Sequence, residues 1–261
     1  MVRREFVDTA EGQIHVRTAG AGRPVLLLHQ TPRSADEYRD AIPLLARDFR
    51  VIAMDTIGYG DSYKPARTCS IEDYAAGALR VLDGLGVGAA AVVGHHTGAV
   101  IGMELAAAHP ERVERLVLSN GPYIDAADRE RRQGRPSIDH VEVREDGSHL
   151  VELWGRRMGF YPRGRPDLLT RFVLDALRAG EKVEEGHHAC DAYRMEEKLG
   201  RICCPTLLVC GTEDPFAYPH LPVLARHIAG SRVLPIPGGT VAMVDQMPEA
   251  FVEAIRDFLR G

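Results

Sequence analysis

Two hydrophobic patterns alternate along the chain. Short, nearly continuous apolar runs occur at Val25–Leu28, Val51–Met54, Ala89–Val93, Val113–Leu118 and Thr206–Cys210, with Arg232–Ile236 as a more polar member. Runs of this length, bounded by turn residues, predict strands buried on both faces. Between them lie longer stretches with apolar residues every three to four positions. These predict helices around Ala35–Asp48, Ile71–Leu85, Ala99–His109 (closed by Pro110), Pro222–Ile228 and Pro248–Leu259. Strand and helix in regular alternation predict an α/β fold with a mostly parallel sheet covered by helices on both faces. Glu5–Thr9 and Gln13–Arg17, meeting at Glu11-Gly12, predict an antiparallel hairpin at the sheet edge.

The alternation stops over residues 122–199. That stretch is rich in arginine and acidic residues, has helical segments such as Leu168–Leu177, and contains no buried strand pattern. It predicts a helical lid inserted into a body made of 1–121 and 200–261, leaving and re-entering at the carboxyl ends of strands, where α/β sheets bind ligands. The lid holds the single tryptophan, Trp154, with Phe160, Tyr161, Phe172 and Tyr193. Most of these aromatics are expected to dock the lid on the body; Trp154 is the candidate for substrate contact.

Composition narrows the partners. The chain has 261 residues and a net charge of −5, without a basic block. That balance excludes nucleic acid and anionic membrane as main partners and leaves a small-molecule substrate. No apolar run approaches the ~20 residues of a membrane span. The amino-terminal segment Met1–Thr9 lacks the apolar core of a signal peptide. Five cysteines lie scattered at 69, 190, 203, 204 and 210, without metal-ligand spacing. The expectation is a cytoplasmic protein with reduced thiols.

The chemistry concentrates at Ala90-Ala91-Val92-Val93-Gly94-His95-His96-Thr97-Gly98-Ala99, a strand, a sharp turn and a helix. Glycines at 94 and 98 flank a three-residue tip, the frame of a nucleophile elbow, Gly-x-Ser-x-Gly. Here the chain resembles the α/β-hydrolase family, and the resemblance spans nearly its whole length. Leu26-Leu27-Leu28-His29-Gln30 is similar to the strand and turn that supply an oxyanion-hole amide, with Gln30 where glycine is usual. Asp55-Thr56-Ile57-Gly58-Tyr59-Gly60-Asp61-Ser62 resembles the family's Asp-x-x-Gly-x-Gly-x-Ser loop. Gly211-Thr212-Glu213-Asp214 resembles the strand end presenting the triad acid. Ile236-Pro237-Gly238-Gly239-Thr240 resembles the loop carrying the triad histidine. The resemblance implies the α/β-hydrolase fold, with Asp214 as the acid and the amides of Gln30 and Thr97 as the oxyanion hole. It also exposes two departures: His96 stands at the nucleophile position, and Thr240 at the histidine position.

A histidine at the start of a helix meets the positive end of the helix dipole, which disfavours the imidazolium. Imidazole reaches further from the backbone than a serine hydroxyl, and threonine is smaller than histidine. His96 is therefore expected to swing into the vacated space and pair with Asp214, within about 4 Å. Such a base beside an oxyanion hole serves hydrolysis of an ester, lactone or C–C bond, with water activated or His96 as nucleophile. The same base serves proton abstraction in a lyase, isomerase or cyclase. A catalytically silent ligand receptor or partner protein is the alternative outside enzymes, against which stand the glycines of the elbow and the retained Asp214. Thr31, Arg33 and Thr240 are further candidates for substrate contact, Arg33 through a substrate carboxylate. His95, His29 and the pair His187-His188 are expected to be structural or solvent-facing. His29, His95 and His96 lack an acidic partner or a His-x-x-x-His spacing, so no metal is expected. Neither a P-loop nor a dinucleotide fingerprint is present, so no organic cofactor is expected.

Overall fold

The computed structural model describes residues 1–261. Its eight strands are β1 (Arg3–Thr9), β2 (Gly12–Ala19), β3 (Pro24–Leu28), β4 (Arg50–Met54), β5 (Ala90–His95), β6 (Val113–Ser119), β7 (Thr206–Gly211) and β8 (Arg232–Ile236). They form one sheet in the order β1-β2-β4-β3-β5-β6-β7-β8. β1 and β2 form the antiparallel edge hairpin, β2 pairs antiparallel with β4, and every later pairing is parallel.

The apolar runs are continuous because each strand divides its side chains between two cores. Leu26, Leu28, Ile52, Met54 and Leu208 point into one core; Val25, Leu27, Val51, Ala53 and Leu207 point into the other. The helices covering these faces are α1 (Ala41–Leu45), α2 (Ile71–Gly84), α3 (Thr97–Ala108), then α4 (Ala126–Arg132), α5 (Ser148–Met158), α6 (Pro166–Ala179) and α7 (Glu185–Ala192) between β6 and β7, and finally α8 (Leu221–His227), α9 (Met243–Gln246) and α10 (Pro248–Arg260). α10 lays Phe251, Val252, Ile255, Phe258 and Leu259 on the second core, at one helical face. α3 is buried from Thr97 through Ala106, the mark of a central helix enclosed on all sides. α2 begins in a capping box between Ser70 and Asp73. No helix is long and apolar enough to cross a membrane.

The predicted helix over 35–48 is instead two pieces, a 3-10 turn at Ala35–Tyr38 and the short α1. Pro43 explains the break. A helix started at Ala35 would place it in the interior, where it lacks the N–H and clashes with the preceding turn. Restarting at Ala41 moves it into the first turn, where the N–H is not needed.

The residues between β6 and β7 form only helices and turns. Their apolar face, through Leu153, Leu168, Phe172 and Leu199, joins the core that contains α2 and α3. One buried polar junction adds to this. Arg33, fully buried, bonds Asp175 of α6 through Nε (2.9 Å) and Asp245 of α9 through Nη1 (2.5 Å). The Ser34 hydroxyl donates to the other oxygen of Asp175 at 2.9 Å. The side chain expected to meet substrate thus pins the insertion to the body.

Candidate active site

β5 runs into α3 through His96, whose φ of 47° and ψ of −111° lie outside the regions favoured by L-residues. Strain of this kind persists only where the surroundings hold it. The flanking glycines show what does. A Cβ on Gly94 would lie 2.1 Å from the carbonyl oxygen of Gly98, and a Cβ on Gly98 would lie 2.0 Å from that of Leu28. Strand, turn and helix are packed backbone to backbone, and the His96 side chain is projected from the tip.

That projection brings His96 Nε2 to 2.9 Å from Oδ2 of Asp214. The contact is a close approach that does not meet hydrogen-bond geometry; catalytic contacts commonly tighten to full alignment once substrate is bound. Asp214 itself is fully buried in the loop after β7. Its Oδ1 accepts from the amides of Phe216 (2.9 Å) and Ala217 (3.0 Å), and its Oδ2 from the side-chain amide of Asn120 (2.6 Å). Burial alone would raise this carboxyl. The adjacent His96 imidazole and the two backbone amides outweigh it and hold the group at about 2. Asp214 is therefore ionised throughout the neutral range.

Asn120 was not singled out from the sequence. It follows β6 with a φ of 47° and binds three elements. Besides Asp214, its side-chain amide reaches the Thr240 carbonyl at 3.2 Å, and its Oδ1 accepts from the Gly211 amide at 3.1 Å. The visible signal was the Asn-Gly pair at a strand end, because asparagine tolerates positive φ better than most residues.

The remaining expected residues divide sharply. Gln30 lines the cavity, but its backbone amide donates to Glu37 Oε2 (2.9 Å) and its side-chain amide to Glu37 Oε1 (2.5 Å). Its N–H is thus committed to a buried carboxylate and is not available to an oxyanion. The neighbouring Thr31 amide donates to the Thr97 hydroxyl at the head of α3, at 3.3 Å. Thr97 is the first residue of that helix, where backbone N–H groups have no intrahelical acceptor. Thr240 does not border the cavity. Its hydroxyl and its amide both donate to Gln246 Oε1, at 2.7 and 2.9 Å, because the small side chain closes a turn ahead of α9. Trp154 also lies away from the cavity, half-buried against the apolar core, so its large ring serves packing. His95 is buried between the Ser119 hydroxyl (2.9 Å) and the Val241 carbonyl (3.0 Å), and burial lowers it to about 4. His29 holds its loop, with Nε2 accepting from the Thr56 amide at 2.9 Å. His188 is exposed, but His187 turns to the cavity and places Nε2 2.8 Å from Asp139.

The cavity beside His96 measures about 150 Å³, comparable to a void that holds one benzene molecule. The body contributes Thr31, His96, Thr97 and Val241; the insertion contributes Arg132, Arg135, Arg157, His187, Cys190 and Asp191. With the insertion over the strand ends, the imidazole side chain keeps 16% of its surface exposed. It is reachable yet shielded.

The comparisons with known proteins agree with this architecture. The chain matches the profile of the alpha/beta hydrolase fold over residues 23–244, and it belongs to that family. A protein of Azorhizobium caulinodans named "Putative carbamate hydrolase RutD" is 30% identical, over 97% of each chain. The crystal structure of a hydrolase from Pseudomonas aeruginosa PA01 superposes with a TM-score of 0.81 at 25% identity, covering 99% of each chain. That of an enol-lactonase from Burkholderia xenovorans LB400 gives 0.82 at 23% identity, covering 98% of this chain and all of the other, a likeness of fold alone. The protein is thus a hydrolase-like enzyme of the α/β-hydrolase fold acting on small molecules.

Proposed function

We propose that the protein hydrolyses a small carbonyl compound by a His96–Asp214 dyad in place of a serine triad. The observation that carries this reading is the 2.9 Å approach of His96 Nε2 to a carboxylate held ionised. With Nε2 turned to Asp214, Nδ1 is the ring nitrogen left for chemistry, and it has no protein partner. A water at Nδ1 gives up a proton to the imidazole as its oxygen bonds to the substrate carbonyl carbon. The carbonyl oxygen becomes the oxyanion, received by the Thr97 amide at the head of α3. Collapse of the tetrahedral intermediate breaks the bond to the leaving group, which takes the proton from His96. Asp214 fixes the tautomer and stabilises the imidazolium formed in between, the role of the acid in a triad. A preorganised amide of this kind is commonly worth about 3 kcal/mol to an oxyanion-forming step.

The insertion acts as the lid: it walls the cavity and limits substrates to about the size of a single small ring. The test is turnover of small esters, lactones and β-diketones, with rapid-mixing kinetics at the first turnover. Direct water attack gives linear product release without a burst. A burst with transient absorbance of an acyl-imidazole would assign His96 as nucleophile instead, and absence of turnover across the panel would refute hydrolysis.

A further inference from the structure

We propose that the substrate carries a carboxylate, drawn in and held by arginines of the insertion opposite His96; this names the substrate class of the hydrolytic reading and rests on it. The protein as a whole is acidic, at −5, yet the cavity wall is cationic. Arg132, Arg135 and Arg157 line it against a single lining carboxylate, Asp191.

Asp191 does not cancel its neighbours. Arg132 reaches it with Nη1 at 3.0 Å and Arg135 with Nη2 at 2.7 Å, one nitrogen each. Two guanidinium groups thus share one carboxylate and keep donors free. Arg157 is more telling. Its side chain is only 8% exposed, and both Nε (2.6 Å) and Nη2 are turned to Asp139. Its guanidinium also stacks over the Phe172 ring, 5.0 Å from the centroid. Nη1 is left as the guanidinium nitrogen without a protein acceptor. A nearly buried cation, locked in orientation and presenting an open N–H at a cavity wall, is a preorganised receptor for an anion. The Asp139 carboxylate that locks it is itself shared with His187, at 2.8 Å.

The same arginines mark a route in. Arg132, Arg135 and Asp191 also border an outer groove, together with Arg129 and Arg194. Arg129 and Arg194 are tied to Glu196 and Glu197, so the donors this groove offers an anion are those of Arg132 and Arg135. The carboxylate would pass from the groove to Arg157, leaving the scissile carbonyl of a short molecule near His96.

The test needs no turnover. Butanoate and butanamide have the same size and shape and differ in charge, and both fit the cavity. Titration calorimetry at low ionic strength is expected to show butanoate binding at least about ten-fold tighter, the scale of a charge-assisted contact. The preference is expected to vanish in Arg157→Gln and to shrink in Arg135→Gln. Arg135 is 30% exposed, so its replacement keeps the test decisive if loss of Arg157 disturbs folding. Equal binding of the two probes by the wild-type protein, or a preference untouched in these variants, would overturn the proposal. A charge preference in a protein that hydrolyses nothing would sustain the anion site and refute the hydrolytic reading.

Discussion

Replacing Asp214 by asparagine changes charge without changing shape, and the structure sets the size of the effect. The ordinary carboxyl value is 3.8, and the folded protein holds Asp214 at about 2. That difference corresponds to about 2 kcal/mol of folding free energy. Because the folded value is depressed, the contribution is fully present above pH 3.8 and is lost as pH falls towards 2. Asparagine never has it. It also mispairs: if its oxygen keeps the Phe216 and Ala217 amides, its NH2 group faces the Asn120 side-chain amide, now two donors, at a further cost of about 1 kcal/mol. Asp214→Asn should therefore unfold about 3 kcal/mol more easily at pH 6. The deficit should narrow by about 1 kcal/mol at pH 3, where wild type has lost part of its advantage. Asp36 and Asp73 are also held near 2, but they titrate alike in both proteins and drop out of the difference. Urea unfolding at the two pH values measures it. A deficit that is constant or grows in acid would refute an ionised, strongly held Asp214. Turnover should fall about 10²–10⁴-fold, because the amide orients the imidazole in the wrong tautomer.

Other consequences are equally concrete. Arg33→Met leaves Asp175, Asp245 and Glu37 buried without their common cation, and denaturant unfolding should show a loss of about 3–5 kcal/mol. Gly98→Ala forces a methyl group to within 2.0 Å of the Leu28 carbonyl; soluble yield or thermal midpoint should collapse, whereas a fully stable variant would contradict the close approach at the elbow. Thr240→Val removes the hydroxyl bond to Gln246, and should cost about 1 kcal/mol in stability while leaving kcat/KM within about two-fold.

Much of the fold was legible because the strands are buried on both faces and therefore appear as unbroken apolar runs. The elbow was legible for a different reason: backbone contact at Gly94 and Gly98 admits no side chain, so the glycine spacing is itself geometric information. The approach of His96 to Asp214 was expected from reach, a longer side chain opposite the small Thr240, and Nε2 lies 2.9 Å from the carboxylate. What escaped were contacts that depend on where loops close in space. Nothing local showed that Glu37 would take the Gln30 amide, leaving Thr31 to face α3. Arg33 looked like a loop cation open to substrate, because its partners Asp175 and Asp245 are 142 and 212 residues away. The arginines of the cavity wall were part of a charged stretch whose orientation only the packed insertion reveals. Trp154, the lid's single tryptophan, was expected to touch substrate, yet it packs against the core.

The dyad is tested most directly at His96. In His96→Ala the elbow backbone is retained and a space of imidazole size opens beside Asp214. Turnover of a small ester should fall about 10³-fold or more, and added free imidazole should restore part of it in a saturable manner, with wild type unaffected. Unchanged turnover in His96→Ala would show that the chemistry lies elsewhere in the cavity.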